Sequence, residues 1–206
     1  MKDLVVLAAD KDLEFTVKGI FARADAIGIR PIEADVYVNP NHDAGCVSRG
    51  VELLNQFRSG YRHSLLIFDY EGCGKDKDAS LDELKKALNE QLHYSWGENA
   101  KTIILHPELE IWVWSDSPHV EEVLGWKDKN PKLRDWLLDK GWLQEGCLKP
   151  LRPKEAFEAA IREARVPKSA SLFHQLARKV SLQRCTDPAF RELKTVLKTW
   201  FPKKTL

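Results

Sequence analysis

Leu4-Val5-Val6-Leu7-Ala8-Ala9-Asp10, close to the start of the chain, is an apolar run that ends in a carboxylate. Such a run is typical of a strand buried on both faces, and the polar residue then lies at the strand's carboxyl end. The same pattern returns in residues 63–69, where an apolar stretch ends at Asp69, and residues 101–105 form another apolar run. These short runs predict the central strands of a parallel sheet.

The segments between these strands have the period of amphipathic helices. Residues 13–27 and 47–57 carry apolar side chains at every third or fourth position, which is the spacing of one helix face. Residues 80–96 open with Ser80, and Glu83 follows three positions later. Serine and glutamate at this spacing form a capping-box signature, so a helix is predicted here as well.

A second strand is predicted at residues 30–38, followed by a loop at residues 39–45. Strands that alternate with helices imply right-handed crossovers between parallel strands. The sequence therefore predicts an α/β fold, a Rossmann-like, mostly parallel sheet of about four strands flanked by helices. Ligands of such sheets bind outside the carboxyl ends of the strands, where Asp10 and Asp69 are expected to lie.

The last quarter of the chain differs from the rest in charge. Residues 149–206 contain 14 lysine and arginine residues against 5 acidic ones, a net charge of +9; since the whole chain carries +1, residues 1–148 carry −8. We expect an α/β domain at 1–148 and a basic helical extension, 149–206, packed on it, with helices near 154–164, 169–180 and 187–200. A cationic end suits DNA, RNA or an acidic partner protein, although solvated helix faces commonly have the same composition.

Composition excludes several classes of protein. The chain is 43% hydrophobic and 31% charged, as in ordinary globular domains, and it has neither a membrane-length apolar run nor the pattern of a secretory signal. We therefore expect a cytoplasmic protein without a membrane partner. The four cysteines are widely spaced, so reduced thiols are expected rather than a zinc knuckle or disulfides. A glycine-rich phosphate loop is missing, which argues against ATP hydrolysis.

Two pairs of acids are predicted to meet at the carboxyl edge of the sheet. Glu14 lies one helical turn after Asp10, and Glu71 lies two residues after Asp69 in extended chain, so the members of each pair face the same way. The pairs converge if the first and third strands are neighbours. Clustered carboxylates repel one another unless a cation neutralises them, and their oxygens suit Mg²⁺ or Mn²⁺. Alternatively, Asp10 caps a helix and Asp69 opens a turn.

Other residues near this edge have open roles. Glu108 and Glu110 follow the fourth strand and either supply further ligands, with Glu108 favoured, or stabilise the first turn of a helix. His42 and Asp43 are placed on the predicted loop, where His42 could transfer a proton or contact phosphate, although exposed loop histidines are commoner. Base stacking is conceivable for the tryptophans, but core packing is far more usual for them: Trp112, Trp114, Trp126, Trp136 and Trp142.

Asp10-Lys11-Asp12-Leu13-Glu14 resembles the E-G-x-x-D/E turn of Toprim domains, and Asp69-Tyr70-Glu71-Gly72 resembles their D-x-D motif. Residues 106–112 and 183–190 are similar to a bacterial family of small Toprim-like proteins, and more narrowly to the small component of methylation-associated phage-defence operons. The resemblance implies a Toprim-like fold and a Mg²⁺ or Mn²⁺ site. It also implies roles for particular residues: metal binding and catalysis by Asp10, Glu14, Asp69 and Glu71, catalysis by Glu108, and nucleic-acid binding by Lys154, Lys168 and Arg184.

The chain departs from the Toprim pattern at three positions. Asp10 replaces a glutamate, Lys11 replaces a glycine, and Glu71 replaces an aspartate. Metal binding can survive such changes, whereas a general base must stay within hydrogen-bond reach of its proton. Two functions remain open: a metal-dependent nuclease or phosphodiester-acting component of anti-phage defence that uses metal-activated water, or a catalytically degenerate assembly or regulatory subunit that docks a larger protein of the same operon.

Overall fold

A computed structural model describes residues 1–203 of the chain. Its four strands form one sheet in the order β2-β1-β3-β4, and every neighbouring pair is parallel. The strands are β1 (Lys2–Ala8), β2 (Ala34–Val38), β3 (Tyr61–Asp69) and β4 (Ala100–Leu105). The predicted α/β, Rossmann-like class is confirmed, and β1 and β3 are neighbours as the acidic site requires.

Helices cover both the sheet and its carboxyl edge. The capping box of Ser80 and Glu83 is present, as predicted. The helices are α1 (Lys11–Phe21), α2 (Ala24–Ile27), α3 (His42–Asn55), α4 (Leu81–Trp96), α5 (Glu110–Val113), α6 (Pro118–Val123), α7 (Leu133–Asp139), α8 (Pro153–Ala164), α9 (Ala170–Lys179) and α10 (Pro188–Trp200).

The second strand and the following helix differ from the prediction. β2 begins four residues late, since Pro31 has no N–H to donate and the Asp3 carboxylate binds Arg30 and the Glu33 backbone N–H. The predicted loop at residues 39–45 is wrong beyond Asn41, because α3 begins at His42. His42 and Asp43 therefore lie in the first turn of a helix, not on a loop. The first turn of α3 is polar, so the spacing of apolar residues does not indicate that the helix begins there.

The tryptophan-rich segment connects the sheet to the carboxyl-terminal helices. Its indole N–H groups donate across this junction: Trp112 to Asp187 Oδ1 at 2.9 Å, Trp114 to the Pro153 carbonyl at 2.9 Å and Trp126 to the Ala160 carbonyl at 3.2 Å. The predicted core role is confirmed for Trp112, Trp114, Trp126 and Trp136, which are all buried, while Trp142 is half-buried. Sheet and extension share one apolar core, and the proposed boundary at residue 148 stays a prediction.

Two simpler observations complete the fold. In residues 1–203, no helix combines the length and the apolar character that crossing a membrane requires. The four cysteines are free thiols, two of them buried.

Candidate functional site

Sheet register brings the two predicted strand-end acids to the same edge. Ala8 of β1 is opposite Ile67 of β3, and the Ala9 backbone N–H donates to the Ile67 carbonyl at 3.1 Å. Asp10 follows directly after this pair on β1, and Asp69 is the last residue of β3. The side chains of Asp10 and Asp69 are close enough for the charge of the first to raise the pKa of the second.

Asp69 has an unsatisfied polar atom at the centre of this edge. Its Oδ1 is buried and has no hydrogen-bond partner within residues 1–203. Burial holds the pKa of Asp69 well above its usual value, and the charges of Asp43, Glu110 and Asp10 raise it further. A buried carboxylate in such surroundings requires a proton or a cation, because its ionised form is otherwise poorly solvated.

Asp43, in the first turn of α3, is a neighbour of Asp69. It does not belong to either of the two motifs that resemble Toprim domains. Its Oδ1 accepts a hydrogen bond from the Asp69 backbone N–H at 2.8 Å. The turn before α3 directs it there: Asn39 Oδ1 accepts from the Asn41 N–H at 2.9 Å, and a Cβ on Gly45 would lie only 2.2 Å from that oxygen. Burial raises the pKa of Asp43, and Asp10 adds to the effect. Asp43 follows β2 in the chain, and this position was the feature of the sequence that could have placed it at the carboxyl edge of the sheet.

Glu108 and Glu110 are both buried beside the same edge, with 6% and 4% of their surface exposed. Glu110 is the first residue of α5, so part of the helix-start alternative is correct. Burial raises the pKa of Glu110 to about 7, and the charge of Glu108 contributes. Burial also raises the pKa of Glu108, although Lys154 opposes the shift. Both side chains are thus within the electrostatic reach of the acidic edge.

The extension places two of the predicted basic residues over these glutamates. Lys154 Nζ donates to Glu108 Oε2 at 3.1 Å, and Lys168 Nζ lies 3.8 Å from Glu110 Oε1. Burial disfavours the charged form of Lys154, yet its pKa is raised overall by the hydrogen bond to Glu108 and by nearby acids. Lys168 also donates to Glu158 Oε1 at 3.0 Å. Both lysines remain partly exposed, so each can reach a ligand as well.

The remaining predicted residues have other contacts. Asp10 caps α1, because its Oδ1 accepts from the Leu13 N–H at 2.8 Å. Glu14 lies one turn further, and its Oε1 is 2.5 Å from Lys18 Nζ. Glu71 is exposed, and its charge reaches Glu108. Arg184 lines a different groove, described below.

The donor chemistry of the acidic edge suits a divalent cation. Carboxylate oxygens from Asp10, Asp43, Asp69 and Glu110 are the hard ligands that Mg²⁺ and Mn²⁺ prefer, and Asp69 Oδ1 lacks a partner. Among residues 1–203, however, no group of three or more His, Cys, Asp and Glu side chains already has the geometry to hold a metal ion. Binding would therefore require the neighbouring carboxylates to turn toward Asp69.

Fold and site together define a Rossmann-like α/β protein with a buried acidic edge and two lysines above it. Comparison of the chain with protein-family models, curated protein sequences and solved structures finds no match. The Toprim-like resemblance stays a prediction.

Proposed function

We propose that this chain is a Mg²⁺- or Mn²⁺-dependent protein that acts on phosphodiesters, a nuclease component of bacterial anti-phage defence. The observation that carries the proposal is the buried Asp69 Oδ1, which has no partner in the described chain and is surrounded by the charges of Asp43, Glu110 and Asp10. The defence context is supported only by the resemblance of the quoted segments.

Asp10 and Asp69 are the residues best placed to hold the cation, with Asp43 and Glu110 beside them. Glu14 and Glu71 complete the set that the resemblance implies, after release of Glu14 from Lys18. A bound Mg²⁺ or Mn²⁺ supplies Lewis-acid chemistry, polarising a phosphate and making water a stronger nucleophile. The edge needs no serine or cysteine nucleophile for this reaction, and Tyr70 is already engaged, since its hydroxyl donates to the Ala79 carbonyl.

Lys154 and Lys168 would position the nucleic-acid strand. Their side chains are 47% and 37% exposed. Lys154 is hydrogen-bonded to the buried Glu108, and Lys168 is hydrogen-bonded to Glu158. A lysine that is oriented by a carboxylate can still contact phosphate with its remaining N–H groups. Glu108 and Glu158 thereby set the positions of the two ammonium groups.

The test uses the full-length protein with labelled DNA and RNA, single- and double-stranded, in Mg²⁺ or Mn²⁺. We expect Asp69→Asn and the double variant Asp69→Ala, Glu71→Ala to lower the cleavage rate by about 100-fold or more, as loss of metal-site groups does. Glu90→Gln is the matched control, because this α4 side chain is 68% exposed.

Metal binding is measured separately. The concentration of free Mn²⁺, followed by electron paramagnetic resonance, should fall when wild-type protein is added and should fall less when Asp69→Asn is added. Cleavage that survives in both variants would refute the proposal.

A catalytically degenerate subunit is the second candidate, and specific contacts favour it. Lys154 already pairs with Glu108, Lys168 lies 3.8 Å from Glu110, Lys18 pairs with Glu14, and Asp10 caps α1. On this hypothesis, wild type neither cleaves nucleic acid nor depletes free Mn²⁺, and it forms a stable complex with a purified protein encoded beside it. Methyltransferase or restriction genes beside its gene would support the defence context of both candidates.

A further inference from the structure

A second surface, separate from the acidic edge, is a groove between α6, α7 and the segment that joins α9 to α10. It encloses about 660 Å³, within the range of ligand-binding clefts. Trp114 and several aliphatic side chains line it, among them Leu133, Leu137 and Leu143. Leu148 stands in its wall with 72% of its surface exposed. We call this surface the Trp114 groove.

Three cations line the Trp114 groove: Arg134, Lys149 and Arg184. Arg134 Nη2 donates to the Cys147 carbonyl at 2.6 Å, and Lys149 Nζ donates to the Ile111 carbonyl at 2.8 Å. These partners are neutral, so they orient the side chains without cancelling their charge. The groove also contains Asp116 and Glu121, and Glu121 Oε1 accepts from the Leu133 N–H, a neutral partner that leaves its charge in place. Cations therefore outnumber carboxylates by three to two along an apolar wall.

A buried hydroxyl in the same groove lacks a partner. Ser117 is 7% exposed, and its Oγ makes no hydrogen bond within the described chain, residues 1–203. Ser115 also lines the groove, and its Oγ is likewise buried without a hydrogen-bond partner in residues 1–203. Buried polar groups are normally satisfied, by water or by a ligand, so these two hydroxyls offer hydrogen-bond partners to a bound polar group.

We propose that the Trp114 groove docks an acidic, leucine-containing segment of a partner protein. Carboxylates of the segment pair with Arg134, Lys149 and Arg184, a leucine packs between Leu137 and Leu148, and the peptide backbone bonds the Ser117 hydroxyl. A nucleic-acid strand fits less well, because it has no aliphatic side chain to pack between Leu137 and Leu148. The inference is independent of catalysis at the acidic edge, and it holds for either candidate function.

The experiment follows fluorescence anisotropy of a short labelled peptide in which leucines alternate with glutamates, titrated with the full-length protein. Matched probes are a lysine–leucine peptide, a glutamate–serine peptide and single-stranded DNA of similar length. We expect the glutamate–leucine peptide to bind most tightly. Arg184→Glu and, separately, Leu148→Ser should each weaken it by about tenfold or more. Both side chains are exposed, so the fold should survive, which thermal unfolding checks.

Arg162→Glu is the control, since this exposed arginine of α8 is not among the groove residues. It should leave peptide affinity within about twofold of wild type, as expected for a charge remote from the contact. The proposal is overturned if the lysine–leucine peptide binds as well, if neither groove variant weakens binding, or if no peptide binds. It is also overturned if DNA binds the groove, recognised by loss of DNA binding in Arg184→Glu and displacement of DNA by the peptide.

Discussion

At the scale of single residues, Glu110 links the chemistry of the acidic edge to stability. Burial raises its pKa from 4.5 to about 7. Below pH 4.5 the group is protonated in both folded and unfolded chains and has no effect. Between pH 4.5 and 7 the unfolded chain ionises first, so folding becomes less favourable as the pH rises. Above about pH 7 the full cost is present, about 3 kcal/mol from the size of the shift.

Glu110→Gln should remove this dependence. In EDTA, we expect the variant to have a higher free energy of unfolding than wild type at pH 8, by up to about 3 kcal/mol, and the difference to vanish near pH 4.5. Urea denaturation at several pH values between 4.5 and 8 measures it. Glu145→Gln, an exposed glutamate, serves as the control. Parallel curves for Glu110→Gln and wild type across this range would contradict the assignment of the cost to Glu110.

Sequence reasoning located part of the site because strand ends are visible in a sequence and side-chain contacts are not. Asp10 and Asp69 each end an apolar run, so their shared edge followed from the parallel topology alone. The contact of Asp43 with the Asp69 N–H depends on a left-handed residue, His42 with φ 52°, and on the tight approach of Asn39 to Gly45. Nothing in the period or composition of the chain encodes that turn.

At the scale of elements, the fit of α1 against α9 depends on one glycine. A Cβ built on Gly19 would lie 2.7 Å from Ala177 Cβ and 3.0 Å from the His174 carbonyl oxygen. Alanine would favour the helix by about 1 kcal/mol, but forcing the two helices apart costs about 1–3 kcal/mol. We therefore expect Gly19→Ala to lower the free energy of unfolding by about 1 kcal/mol, measured by urea denaturation.

Two further variants test whether the close contact at Gly19 causes the loss. Gly60→Ala is the control, since a Cβ there meets only the Phe57 carbonyl oxygen at 3.6 Å, an ordinary contact. The double variant Gly19→Ala, Ala177→Gly removes the closer of the two overlaps, so it should be more stable than the sum of the two single changes predicts. If Gly19→Ala stabilises the protein, the α1–α9 interface is looser than the structure indicates.

Helices and strands with a strong apolar period were predictable, and those defined by polar contacts were not. β1, β3 and β4 and the three carboxyl-terminal helices lie within two residues of their predicted bounds. Their apolar faces specify them locally. In contrast, the start of β2 depends on the Asp3 carboxylate, which is distant in sequence from Arg30. A local pattern contains no information about such a partner.

At the scale of the whole molecule, the extension contributes more than charge. Arg23 of the segment after α1 donates to the Ala177 and Val180 carbonyls at 2.9 and 2.7 Å. The indole N–H groups of Trp112, Trp114 and Trp126 donate to residues beyond 148 as well. These bonds lie around a common apolar core. The predicted division at residue 148 therefore separates regions of opposite charge that are packed as one unit.

A fragment of residues 1–148 should consequently fail to fold as a native domain. Without residues 149–206, the apolar face of α1 that packs against α9 would be exposed, and the three indole N–H groups would lose their acceptors. Water can bond the indole N–H groups that become exposed, so the main cost is the uncovered apolar surface of the shared core, about 1.5–3 kcal/mol for each large side chain, which together rivals the usual total stability of a domain. We expect a non-cooperative urea transition by circular dichroism and strong binding of the dye ANS, beside a cooperative transition for the full-length chain. A cooperative transition in the fragment would show instead that 149–206 is an appendage on an independently stable domain.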